Sequence, residues 1–154
     1  MEAGMRAKLD GRPFTITIRQ TEDAEFRYDT LGDWQYDERH GEVVARIDVP
    51  KFGTDANYAA WLVAIHEIVE LFLCLRAGVT QREADEFHAS HKDSDEYGDE
   101  LDCPYYDQHQ IADAVEKLLC GAIGVSWKDY VALSNRKCEE VIDARARAID
   151  ARRV

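Results

Sequence analysis

Apolar and polar residues alternate with a period of two in the first third of the chain. Phe14-Thr-Ile16-Thr-Ile18-Arg-Gln20 predicts a half-buried strand. Trp34-Gln35-Tyr36 and Glu42-Val-Val-Ala-Arg-Ile-Asp-Val49 flank the polar turn Asp37 to Gly41 and predict a hairpin, with Val43, Ala45, Ile47 and Val49 on one face. Pro50 and Gly53 close this region, and beyond them the apolar spacing becomes helical. Strands first and helices after predict a single-domain α+β fold. Its small antiparallel sheet consists of the hairpin and one or two further strands, followed by a helical hairpin and two more helices.

The stretch Tyr58 to Leu75 is apolar almost all round, with Asp55 as N-cap and Gly78 as C-cap. Its length would span a bilayer. His66, Glu67 and Glu70 sit in its middle without a second apolar span or a basic flank, and a core helix fits them better. Thr80-Gln-Arg-Glu83 is a capping box that opens a second helix, and so short a connection predicts an antiparallel helical hairpin. Residues 92–102 carry six acidic side chains and are expected to form a loop. Pro104 introduces a third helix, Tyr105 to Cys120, ended by Gly121. Trp127 to Leu133 is expected as a short element, and Ser134 as the cap of a weakly amphipathic last helix that projects or packs against another copy of the chain. The resulting plan is a loose N-terminus at 1–12, a metal-binding α+β domain at 13–133, and a C-terminal helix or tail at 134–154.

A length of 154 residues suits one domain. Acidic residues outnumber basic ones by 31 to 19, for a net charge of −12. Residues 135–154 hold six basic against four acidic side chains, so residues 1–134 alone carry −14. That body repels phosphate, which argues against nucleic acid and against an anionic membrane as partners. The opening Met-Glu-Ala-Gly-Met-Arg has no apolar run of the kind a secretion signal needs, and a cytoplasmic location is expected. The four cysteines, Cys74, Cys103, Cys120 and Cys138, form no CxxC pair and read as reduced thiols, Cys74 as a small buried hydrophobe.

His66-Glu67-Ile-Val-Glu70 is an HExxE sequence on the apolar helix. At about 100° per residue, His66 and Glu70 share a face roughly 40° apart, with Glu67 about 60° beyond. HExxH helices use this spacing to offer two metal ligands one turn apart beside a glutamate base. A carboxylate as second ligand still suits zinc, and suits harder ions better. Charged groups on a buried helix are costly unless paired or bound to metal, so the competing reading is a metal-free Glu–His network or a Glu–Arg pair. In an antiparallel hairpin, His88 and His91 would lie level with Glu70 and His66, on the face that Ala84 and Phe87 also occupy. On the third helix His109, Asp113 and Glu116 form one stripe, flanking the apolar face of Ile111, Val115, Leu118 and Leu119.

Asp93-Ser-Asp95-Glu-Tyr97-Gly98 opens like a calcium loop, but Pro104 stands where the closing glutamate is required. Glu67-x-x-Glu70 with Asp113-x-x-Glu116 resembles the carboxylate pairs of magnesium-dependent nucleotide pyrophosphatases. N-terminal strands and several histidines do not belong to that pattern.

Gly32-Asp-Trp34, Leu62-Val-Ala-Ile-His-Glu-Ile-Val-Glu70, Leu73-Cys74 and Pro104-Tyr-Tyr-Asp-Gln-His-Gln110, with Glu116, resemble a family of small, uncharacterised phage and prophage proteins. The resemblance covers residues 14–130 and implies the host cytoplasm as location. That family often has an acidic residue at position 88, where this chain has His88, an exchange that suits a metal ligand. The HExxE helix behind a small sheet is similar to zincin metalloproteases, with Glu70 where those have a second histidine. This departure bears on peptidase activity more than on metal binding.

The residues point first to one divalent metal, zinc by preference, held by His66, Glu70, His109 and His88. His91, Asp113 and Glu116 are further candidates to complete the site. Glu67 would be the general base in hydrolysis of an amide or ester. A second reading is a non-enzymatic accessory protein that binds a phage or host partner and uses its metal only to hold helices together, which requires four protein ligands. A magnesium-dependent pyrophosphatase is the third.

Overall fold

The computed structural model describes residues 2–9, 11–92, 94 and 96–152. Asp93 and Asp95 of the calcium-like sequence lie outside the described residues, as do Met1 and Asp10. Four strands, β1 (Glu2–Leu9), β2 (Arg12–Thr21), β3 (Asp33–Arg39) and β4 (Glu42–Pro50), precede four helices. These are α1 (Asn57–Ala77), α2 (Gln81–Ser90), α3 (Tyr106–Ala122) and α4 (Trp127–Ala151), which makes the fold α+β.

β3 and β4 form the expected hairpin, closed by His40 and Gly41 at φ 52° and 79°. Positive φ at both turn residues matches the right-handed twist of the strands. The sheet order is β1-β2-β4-β3, and it is mixed where an antiparallel sheet was expected: β2 runs parallel to β4, with Phe14 opposite Val43 and Ile18 opposite Ile47. Alternation fixes which face of a strand is buried, not which strand lies beside it. Here the connection at 22–32 carries the chain to the far edge, and β4 then returns between β3 and β2. Residues 1–12, expected to be loose, supply β1, paired antiparallel with β2 from Glu2 opposite Arg19 to Leu9 opposite Arg12. That pairing satisfies backbone groups that β2 would otherwise leave open at an edge.

On the inner face of the sheet Val43, Ala45, Ile47 and Val49 join Phe14, Ile16 and Trp34. α1 covers them through Ala60, Val63, Ala64, Leu71 and Cys74. The helix ends at Gly78, whose φ of 81° places it in the left-handed region. Asp55 does not cap it; that residue lies in a short 3₁₀ turn, Thr54–Ala56, and no side chain caps the start of α1. The segment Thr54–Ala77 is long and apolar enough to cross a membrane, yet 56% of its apolar window is buried inside the fold.

Thr80 and Glu83 form the expected capping box at α2. α2 then turns toward β3: Tyr36 N donates to Gln81 Oε1 at 2.8 Å, and Gln81 N donates to the Tyr36 hydroxyl at 3.2 Å. The helix lying along α1 is α3. α4 is one continuous helix, capped by Ser126, where a short element and a new start at Ser134 were expected. As far as Arg145 it packs on the fold, and residues 149–152 beyond are exposed. Arg145 donates to the Phe26 and Arg27 carbonyls at 2.8 and 2.7 Å, Lys137 pairs with Asp23 at 2.7 Å, and Val141 is fully buried. These contacts tie the 22–32 connection to α4.

The facing of α1 can be tested by two neighbours. Leu71 is fully buried and Phe72 is 45% exposed. Urea unfolding should show a loss of about 2–5 kcal/mol for Leu71→Ala, and less than about 1 kcal/mol for Phe72→Ala.

Candidate metal centre

The four helices and the segments around residues 30–34 and 96–105 line a partly open cavity of about 430 Å³. The helical repeat puts His66 and Glu70 on the same side of α1, and α3 brings His109 against both. His66 Nε2 lies 3.2 Å from His109 Nδ1 and 3.6 Å from Glu70 Oε2. His109 Nδ1 and Glu70 Oε2 are 2.8 Å apart. Three atoms from three side chains thus form a small triangle inside the core, and all three residues are buried.

The far side of each member is also held. His66 Nδ1 faces Asp113 Oδ1 at 3.4 Å and Glu116 Oε2 at 3.6 Å. Glu116 in turn accepts a short hydrogen bond from the Tyr130 hydroxyl of α4. His109 Nε2 points toward Asp99 Oδ1 at 3.7 Å, and Trp34 Nε1 donates to Glu70 Oε1 at 2.5 Å. His66, His109 and Asp113 each offer a ligand atom within 4.8 Å of the others, a group that could hold a metal ion.

Electrostatics follow from this crowding. Burial depresses the His66 imidazole, but the carboxylates of Asp113, Glu116 and Glu70 outweigh it and hold its pKa well above the ordinary value. Burial pushes the Glu70 carboxyl up, and the hydrogen bonds from His109 and His66 more than reverse this, bringing it to about 2. His109 is raised because the Glu70 carboxylate overcomes the effect of burial. Glu67 moves the other way: burial and the neighbouring Glu70 charge raise it well above the carboxylate range.

Glu67 lines the cavity, and its carboxyl group packs on Gly32 so tightly that a Cβ there would lie 2.3 Å from Oε1. A Cβ at Gly98 would meet the His109 ring at 2.2 Å. Both positions need glycine for space. Gly98 sits in a 3₁₀ turn, Tyr97–Asp99, that carries Tyr97 and Gly98 into the interior from the acidic segment expected to be a loop.

His88 reaches the same cavity wall but stands outside the triangle. Its Nε2 makes a short hydrogen bond with the Tyr105 hydroxyl, and its ring stacks on Tyr97 at 4.5 Å and meets Tyr28 edge-on at 4.4 Å. His91 stacks on Phe87 and faces Asp102 at 3.6 Å. The turn of α2 toward β3 separates both from the levels on α1 that an antiparallel hairpin would give them. Trp34, Asp99, Tyr105 and Tyr130 complete the site without a signal in spacing or periodicity: each belongs to a different segment, and only the tertiary fold assembles them.

Compared with known protein families, curated proteins and solved structures, the chain matches none.

Burial, and then the charge of Arg27, lower the His88 pKa to about 4 from 6.5. The unfolded chain takes up this proton near 6.5 and the folded chain only near 4, so the stability that neutral His88 confers is lost as pH falls between those values. An NMR titration of the His88 ring should find its midpoint near 4; a midpoint at 6.5 or above would contradict the packing described.

Proposed function

We propose that the chain is a zinc-dependent hydrolase of amide or ester bonds, with His66, Glu70 and His109 as ligands and Glu67 as general base. The observation that carries this is the triangle of His66 Nε2, His109 Nδ1 and Glu70 Oε2, with sides of 2.8, 3.2 and 3.6 Å. Tetrahedral zinc with bonds of about 2.0–2.2 Å sets ligand atoms about 3.3–3.6 Å apart, so an ion entering the triangle replaces the His109–Glu70 hydrogen bond and opens that side by about 0.5 Å. Carboxylates facing the second nitrogen of each histidine support the same assignment, because such partners orient ligating imidazoles and raise their basicity. Three protein ligands leave one coordination position open, as catalysis requires.

An ion held there supplies a Lewis acid that polarises a carbonyl and acidifies water. Glu67 follows His66 on α1 and lies off the His66–Glu70 axis, facing the cavity. As base it takes a proton from water while the oxygen adds to the carbonyl carbon. It returns that proton to the leaving nitrogen or oxygen when the C–N or C–O bond breaks.

Asp113 favours a second reading. Its carboxylate forms with His66 and His109 the group that could hold an ion, and an ion whose coordination is completed by protein ligands alone would be structural.

Elemental analysis of protein purified without a histidine tag should find about one zinc ion per chain. Glu70→Ala should lose that zinc and about 3 kcal/mol or more of stability, because two buried imidazoles lose their acceptor. Absence of zinc, together with no uptake by the metal-free chain, overturns the metal centre.

Glu67→Gln separates the two readings. Zinc content and melting should match the parent, while hydrolysis across a panel of peptides and esters falls by about a hundredfold or more. A zinc-loaded parent that hydrolyses none of them supports the structural metal instead.

A further inference from the structure

α1 carries apolar residues all round, whereas a helix on a protein surface ordinarily turns a polar face to water. The sheet covers one side of it and α3 a second. A third side stays open: Trp61 and Phe72 are 44% and 45% exposed, with Ile65 half-buried between them. α3 continues this surface. His66 meets Asp113 and Glu116 while Glu70 meets His109, so the two helices run antiparallel. They share the side that faces the cavity, and they share the side turned away from it. On α3 that outer side carries Ile111, Val115 and Leu118 at i, i+4 and i+7, with Ile111 49% and Leu118 72% exposed. Among the described residues no charged side chain interrupts it. His66, Glu67 and Glu70 are buried, Asp113 and Glu116 face the cavity, and Lys117 lies over the Trp127 ring of α4 at 5.9 Å.

We propose that a second copy of the chain docks on this outer face of α1 and α3, two antiparallel helix pairs stacking into a four-helix layer about a two-fold axis. Charge selects a copy over other occupants. Around a two-fold axis a patch meets itself, so a charge within it would face its like; this patch has none, in a chain of net charge −12. A partner of other chemistry would find no charge here to set its register. A bilayer fits worse. The remaining sides of α1 are fixed to the sheet and α3, so the helix does not cross, and an anionic surface would repel the acidic body. Area suffices as well. At roughly 200 Å² for a large apolar side chain, the four exposed ones leave about 400 Å² open on each copy. With the half-buried residues beside them, a pair of copies buries about 1,000 Å², where specific interfaces begin. Each copy has its own core, so folded monomers and the dimer are in equilibrium. The pairing needs neither the metal nor the hydrolase reading.

Sedimentation equilibrium of the full chain should find a dimer at about 100 µM and mostly monomer at about 0.1 µM. In the dilute range urea unfolding reports the single copy, to which the small effect of Phe72→Ala applies. Leu118→Glu and, separately, Ile111→Lys should weaken the dimer by about tenfold or more. Circular dichroism and melting of the dilute variants should match the parent, because both side chains are exposed in the single copy. Ile142→Glu on α4, at an exposed position beside Asp143, should leave the dimer intact. A chain that stays monomeric at about 100 µM overturns the proposal. So does a dimer that survives both Leu118→Glu and Ile111→Lys, or one that Ile142→Glu alone breaks. Binding to vesicles of phosphatidylcholine and phosphatidylglycerol that Leu118→Glu abolishes assigns the face to a lipid surface and overturns it too.

Discussion

A histidine and a glutamate one turn apart on a core helix must find partners inside the fold, and much of the chain is arranged around that requirement. Left unpaired, either of His66 and Glu70 would cost several kcal/mol. α3 answers with His109, Asp113 and Glu116, β3 with the Trp34 indole, and α4 with Tyr130 through Glu116. Four of these polar contacts converge on His66 and Glu70, one turn of α1. The apolar remainder of α1 packs on the sheet and does the ordinary work of a core.

The scaffold keeps that cluster enclosed. β4 is central in the sheet, and its inner residues are as buried as any in the chain, so the platform under α1 is dry and rigid. The 22–32 connection passes the cavity mouth and is tied at several points: Arg27 to Asp33 and Asp85, Lys137 to Asp23, and Arg145 to two carbonyls. Exposed ion pairs add little each, but these are partly buried and share partners, which favours one arrangement of the connection over many.

Much of this was legible in the sequence wherever a local pattern sufficed. The alternation from Val43 to Val49 gave the buried face of β4, Gly78 the end of α1 and Thr80 with Glu83 the start of α2. The four-residue step from His66 to Glu70 gave a shared helical face, and the third-helix stripe put His109 within reach of it. What the pattern missed was long-range. Period two says nothing about neighbours, so the parallel pairing of β2 with β4 was invisible. A capping box fixes where a helix begins and not where it points, so α2 could carry His88 to Tyr105 and away from the triangle. Ser134 has a capping side chain, yet a helix already running from Ser126 simply continues through it. Trp34, Asp99 and Tyr130 are conventional surface or core residues by sequence and acquire their roles only through packing.

Gly32 and Gly98 bear on how this protein could vary. Neither contributes a functional group, and neither is held in the left-handed backbone region; each is required because a neighbouring side chain occupies the space a methyl group would need. Alanine at either position would push the Glu67 carboxyl group or the His109 ring from its place. Tolerance to random change should therefore be lowest not only along the helix that bears the chemistry but at two isolated points on the opposite wall. A catalogue of chemically active side chains alone would overlook both.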